Sequence, residues 1–301
     1  MLFELPPLPA KVPAGMIPEW GIQNAKHRPC PVCSSDAPVP FVARPDKFVV
    51  HHCSACGMRY LADIPSQDEL EKFYRSYSIY KNYRFAKLSL WNKITGSGNP
   101  FITILQNTGG VSGLSICEIG CSDGFFLELL RSRGADVYGV ELDADCDHIL
   151  EKKNVPHSKS IPAGQLYDAF CLFQILEHLS HPEDMIKNIA GSIKKDGRLL
   201  ISVPNGGEVA KAGPTWIGFR VDLEHLNYFD LSSLSNLLSR QGMLVEQYWE
   251  HNQPGIQRPN PSKSPPILRS TNWRRLSGFL YRHPLSAQGS FVLTVLSRKV
   301  R

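Results

Sequence analysis

No stretch of the 301 residues approaches the roughly 18 uninterrupted apolar residues of a membrane-spanning helix. The first residues, Met1-Leu2-Phe3-Glu4-Leu5-Pro6-Pro7, have neither a basic start nor an apolar run, so no secretory leader is expected. Those two absences point to a cytoplasmic protein with reduced thiols, in which eight cysteines serve as metal ligands, core residues or reactive groups rather than disulfides. No internal repeat is visible. Acidic residues are missing altogether from 251 to 301, which hold nine Lys and Arg; the first 250 residues carry 24 basic and 28 acidic side chains. The overall charge of +5 is therefore a basic tail on a mildly acidic body. That is too little positive charge to make nucleic acid the expected partner, although the tail suits something anionic. With 42% hydrophobic residues there is enough apolar material for a sizeable core, which excludes a disordered chain.

Residues 1–28 are proline-rich and read as an extended arm. Residues 29–62 contain Cys30-Pro31-Val32-Cys33 and Cys53-Ser54-Ala55-Cys56. Two C-x2-C pairs at this separation are the spacing of a structural zinc ribbon, because each pair on a tight turn brings two thiolates to one ion. Four thiolates close a tetrahedral shell and leave no position for substrate. A Tyr-rich helix is expected within a connector at 63–100, broken by Gly96-Ser97-Gly98-Asn99-Pro100. From 101 onward, apolar runs (115–119, 137–142, 168–173, 197–203, 243–249, 290–297) alternate with helical patterns (124–133, 182–193, 230–240). This is the pattern of an α/β domain with a mostly parallel sheet covered on both faces. A basic Pro/Arg-rich insertion lies at about 251–289.

Glu118-Ile119-Gly120-Cys121-Ser122-Asp123-Gly124 follows the first of these strands and opens a helix, and Glu141 ends the next strand. Glycine permits sharp turning and close backbone approach to a ligand, and an acid after the second strand can accept both ribose hydroxyls. The order is not the G-x-G-x-x-G of dinucleotide sites, and an acid before the first glycine suits a cationic ligand better than a pyrophosphate. This unit resembles class I S-adenosylmethionine-dependent methyltransferases. So do Asp168 to Leu179, taken as fourth strand and following loop, and Lys194 to Asn205, taken as fifth strand. The resemblance implies a seven-stranded, mostly parallel, doubly wound sheet carrying a small N-terminal zinc ribbon. It also implies that Glu118, Gly120, Cys121, Ser122 and Gly124 line the methionine end of the cofactor, that Glu141 with Leu142 holds the ribose, and that Gln174 borders the same site.

The ribbon, the Tyr-rich helix and Glu224-His225 together resemble the deoxysugar C-methyltransferases, although Asp222 stands where those enzymes carry a tyrosine. By that resemblance His225 is the general base, Glu224 orients it or binds sugar hydroxyls, and His178 with Tyr74 or Tyr77 completes the acceptor pocket. The implied acceptor is a small, anionic molecule such as a sugar nucleotide, methylated on carbon or oxygen. Its diphosphate would meet Arg258, Arg269, Arg274, Arg275 and Arg282 of the insertion. Two alternatives are an RNA methyltransferase gripping its substrate with the ribbon and tail, and a non-enzymatic scaffold on a methyltransferase fold.

Overall fold

Three buried clusters organise the molecule, and the elements follow from how the chain supplies them. The computed structural model describes residues 18, 20–74, 110–220, 222–251 and 291–300. Most of the expected Tyr-rich helix, with Tyr77, and nearly all of the basic insertion lie outside the described residues; 67–74 are helical.

The larger sheet has seven strands. β6 (Ser115–Ile119), β7 (Asp136–Val140), β8 (His157–Ser158), β9 (Tyr167–Phe173), β10 (Ile193–Pro204), β12 (Met243–His251) and β13 (Val292–Lys299) are arranged in the order β12-β13-β10-β9-β6-β7-β8. The β10-β9, β9-β6, β6-β7 and β7-β8 pairings are parallel, and β13 is antiparallel to both neighbours. The central strands are nearly continuous apolar runs, as a sheet covered on both faces requires. Ile116, Phe170, Cys171, Leu172, Leu199, Leu200, Ile201 and Val203 are all fully enclosed. Besides the helical residues 67–74, the α-helices among the described residues are α1 (Phe125–Arg131), α2 (Asp147–Lys152), α3 (Pro182–Ser192), α4 (Val209–Ala212) and α5 (Leu231–Ser239). Pro182 occupies the first turn of α3, and Asp230 caps α5 in a reciprocal box with Ser233.

The N-terminal part is built from β1 (Lys26–His27), β2 (Pro38–Ala43), β3 (Val49–Cys53), β4 (Arg59–Leu61) and β5 (Asp63–Ile64). β1 pairs with β5, and β2, β3 and β4 form an antiparallel sheet. Its fourth strand, β11 (Asn227–Tyr228), comes from the far end of the sequence and pairs with β4. The sheet that carries Cys53 is thus completed by a strand from outside 29–62. The segment that carries Glu224 and His225 leads directly into that sheet.

Several boundaries differ from the sequence reading. β10 begins at Ile193 rather than 197. It runs through the charged Lys194-Lys195-Asp196 segment over a register irregularity, with Asp196 in the left-handed region (φ 61°). The strand ends shift by up to two residues elsewhere, as hydrogen-bond pairing rather than hydropathy sets where a strand stops.

Candidate active site

The carboxyl ends of β6, β7 and β9 converge on one region, the place where open α/β sheets bind ligands. The glycine turn leaves β6 with three successive positive φ values at Gly120, Ser122 and Gly124 (72°, 49° and 72°). Ser122 therefore holds a conformation that glycine adopts more readily, and its side chain must tolerate the left-handed region. Glu141, at the end of β7, reaches across to this turn. Its carboxylate accepts hydrogen bonds from the Ser122 amide (2.7 Å) and the Asp143 amide (2.9 Å). The acid is thus held in place by backbone donors, facing the turn. Leu142 beside it is 77% exposed, an apolar surface standing open next to an anchored carboxylate.

Glu118 is buried on β6, and its Oε2 has no hydrogen-bond partner among the described residues. Burial, reinforced by Asp123 and Glu141, raises its pKa well above the usual carboxylate range. A cationic group bound in the turn would reverse that penalty. Gln174, which follows β9 with φ 56°, donates from its side-chain amide to Ser202 Oγ (3.1 Å). The residues after it press on the turn: a Cβ on Gly120 would lie 2.3 Å from Ile175 Cδ1. Gly120, Ser122, Gly124, Glu118, Glu141 and Gln174 therefore sit in one region. The Cys121 side chain is buried beside Gly139, inward of the turn, so this residue lines the turn through its backbone.

The second half of the site is made by two loops, 174–181 after β9 and 222–226 before β11. They bring His178 and His225 together with ring centroids 4.6 Å apart at 71°. The Tyr74 ring lies 5.9 Å from His178 at 86°. The carboxylate in this cluster is Glu177. One donor atom each from Glu177, His178 and His225 lie within 4.8 Å of one another. Glu224 is buried nearby but is not part of that group. Burial and the neighbouring Asp222 and Glu224 push Glu177 well above the usual carboxylate range. Burial, with Arg44 nearby, pushes His225 down to about 3, so its imidazole is neutral around pH 7 with a lone pair available.

Two buried arginines from the N-terminal part hold these loops, and nothing in their local sequence marks them. Arg28 donates to Leu61 O (3.0 Å), Ser180 O (2.6 Å), Leu226 O (2.9 Å) and Asn227 Oδ1 (2.8 Å). Asn227 in turn donates to Leu176 O and Leu179 O. Arg44 donates to His225 O (2.6 Å), to Tyr228 Oη (2.8 Å), to Leu223 O and to its ion-pair partner Asp46. The fork of a guanidinium can satisfy several carbonyls at once, which suits arginine to tie two loops to one sheet.

The four ribbon thiols also converge. Cys30 and Cys56 sulfurs are 3.6 Å apart, Cys33 and Cys53 sulfurs 3.5 Å, and all four lie within 4.8 Å of one another. Tetrahedral zinc with Zn–S of about 2.3 Å asks for sulfur–sulfur edges of about 3.8 Å, so the set fits. The two halves repeat one local design. Ser34 and Gly57 follow the pairs with φ of 62° and 78°, and each donates its amide to the first cysteine's carbonyl.

A family model described as a methyltransferase domain matches residues 94–248, just over half of the chain. The chain belongs to the methyltransferase domain family. Among curated proteins, this methyltransferase-family chain is similar to the ubiquinone biosynthesis O-methyltransferase of Photorhabdus laumondii. The two are 26% identical over 167 residues, which is 48% of this chain and 64% of the relative. A ubiquinone biosynthesis O-methyltransferase of Acinetobacter baylyi is 27% identical over 114 residues, covering 33% and 48%. The chain spans between about half and just under two thirds of the length of these relatives. Among solved structures, an S-adenosylmethionine-dependent methyltransferase from Mesorhizobium loti aligns at 18% identity and a TM-score of 0.45, covering 62% of this chain and 92% of that one. The sheet order and the position of the glycine turn are those of the methyltransferase Rossmann-like fold. Among the described residues no helix is long and apolar enough to cross a membrane.

Proposed function

We propose that the chain transfers a methyl group from S-adenosylmethionine to an oxygen of a small-molecule acceptor. The observation that carries this reading is the pairing of a backbone-anchored Glu141 with the buried, partnerless Oε2 of Glu118 across the glycine turn. Glu141 presents its remaining acceptor capacity to ribose hydroxyls, and Glu118 answers the cofactor's cationic amine and sulfonium. The exposed Leu142 offers an apolar contact beside the ribose. Oxygen is preferred as the accepting atom because the similar curated proteins are named O-methyltransferases. A sugar nucleotide stays the acceptor class supported by the Glu224-His225 resemblance and by the arginines between β12 and β13.

The acceptor lies against His178, His225 and Tyr74. Methyl transfer is an in-line displacement, so much of the catalysis is positioning. The neutral imidazole of His225 supplies a lone pair towards the acceptor's hydroxyl. The four ribbon cysteines hold a structural zinc ion with no open position, so this ion braces the loops and takes no part in the chemistry. Calorimetric titration with S-adenosylhomocysteine tests the cofactor half. His225→Ala tests the acceptor half: cofactor binding is retained and turnover falls at least a hundredfold, the low end for losing proton-transfer assistance. Turnover close to wild type would remove His225 from the reaction.

A further inference from the structure

We propose that Glu177, His178 and His225 form a second metal site, which binds a divalent first-row transition-metal ion to which the acceptor oxygen ligates. This rests on the methyltransferase reading above. The three residues offer one donor atom each within 4.8 Å of one another, with His178 Nε2 4.0 Å from Glu177 Oε1. Glu177 is fully buried, and neither of its carboxylate oxygens has a hydrogen-bond partner among the described residues. An unanswered buried carboxylate is costly, and native structures rarely keep one without a use. A cation bound between it and two imidazoles supplies the missing partner.

The donor set narrows the choice of ion. Two imidazoles and one carboxylate suit zinc, manganese, iron and their neighbours rather than calcium or magnesium, which prefer oxygen-rich shells. Three protein donors also leave positions open, in contrast to the closed set of four thiolates in the ribbon. The loops are held firmly enough to present donors. Leu226 N donates to Glu177 O at 2.7 Å, and Arg28, Asn227 and Arg44 fasten the backbone on either side. Ile175 on the same loop touches the glycine turn, which sets the cluster next to the cofactor's reacting end.

The chemistry balances without a further reactant. An acceptor hydroxyl ligates the ion, which lowers its pKa, and the proton leaves to solvent. An oxygen lone pair then forms the O–CH3 bond as the S–CH3 bond breaks. The electron pair of that bond stays on sulfur, turning the sulfonium into a neutral thioether. The His225 lone pair is then committed to the ion, so this scheme and direct proton removal by His225 are distinguishable.

The test uses the full chain carrying one equivalent of zinc, which the four thiolates take, titrated with Mn2+, a probe that does not favour thiolate sites. Bound ion is read from loss of the free-ion electron paramagnetic resonance signal, and S-adenosylhomocysteine binding is measured on the same samples. The expected result is one Mn2+ per chain, at least tenfold weaker binding in both Glu177→Gln and His178→Asn, zinc content unchanged, and homocysteine-product binding unchanged. The second variant, at a half-buried side chain, keeps the test valid if replacing the buried glutamate unfolds the protein. Product binding with no Mn2+ uptake, or uptake equal in both variants, overturns the metal site and leaves the cofactor reading standing. Uptake as expected with no product binding supports the site and overturns its part in methyl transfer. Turnover that persists in chelator-treated, zinc-retaining protein also overturns the ion's role and returns His225 to the base.

Discussion

Glu118 and Glu141 are chemically alike and are treated oppositely by the fold. Two backbone amides hold the carboxylate of Glu141 in place, whereas Glu118 is buried with an oxygen that no described group answers. The raised pKa of Glu118 makes stability depend on pH. Above the usual carboxylate range the unfolded chain ionises this group while the folded chain keeps the proton, so its contribution to stability is lost as pH rises. A cation in the turn favours the ionised form, so binding S-adenosylmethionine releases a proton and tightens as pH rises. Calorimetry in two buffers of different ionisation enthalpy should show that release; identical heats would place Glu118 outside the cofactor site. The residues of the turn and of the two C-x2-C pairs were legible because spacing along the chain alone creates their chemistry. The carboxylate of the histidine cluster was not. Glu177 and Glu224 each precede a histidine in the sequence, and only the packing of two distant loops decides which one faces both rings.

At the scale of elements, most strands of the larger sheet could be placed from apolar runs, since a sheet covered on both faces needs them. The two-residue β11 could not, because its existence depends on β4, more than 160 positions earlier. The roles of Arg28 and Arg44 were hidden for the same reason: their partners are carbonyls from distant loops. Arg28→Ala removes the donors for Leu61 O, Ser180 O, Leu226 O and Asn227 Oδ1 in a buried setting. We expect a loss of roughly 3 kcal/mol or more from the denaturation midpoint. Turnover should fall further than cofactor binding, since the freed loops carry His178 and His225 rather than the glycine turn. A stability change within about 0.5 kcal/mol, the range of ordinary surface substitutions, would deny the clamp.

Taken as a whole, the N-terminal sheet is tied to the loops that carry His178 and His225 rather than standing apart from them. One of its strands continues from the segment bearing His225, and its arginines tie both histidine loops. If the four thiolates hold zinc as proposed, zinc should therefore matter to turnover although it touches no substrate. Cys53→Ser, or stripping zinc with a strong chelator, should lower the unfolding temperature and abolish turnover, while S-adenosylhomocysteine still protects the remaining domain. Full activity at zero zinc content would separate the ribbon from the site. The basic charge between β12 and β13 was evident from composition, and its use by an anionic acceptor is a matter for substrate screening.

Cofactor binding is tested most directly by calorimetric titration of the zinc-loaded protein with S-adenosylhomocysteine, wild type beside Glu141→Ala. Micromolar binding, about −8 kcal/mol, that the variant loses is expected. An intact, zinc-loaded protein that binds no S-adenosylhomocysteine would contradict the proposed cofactor and leave the methyltransferase fold serving as a scaffold.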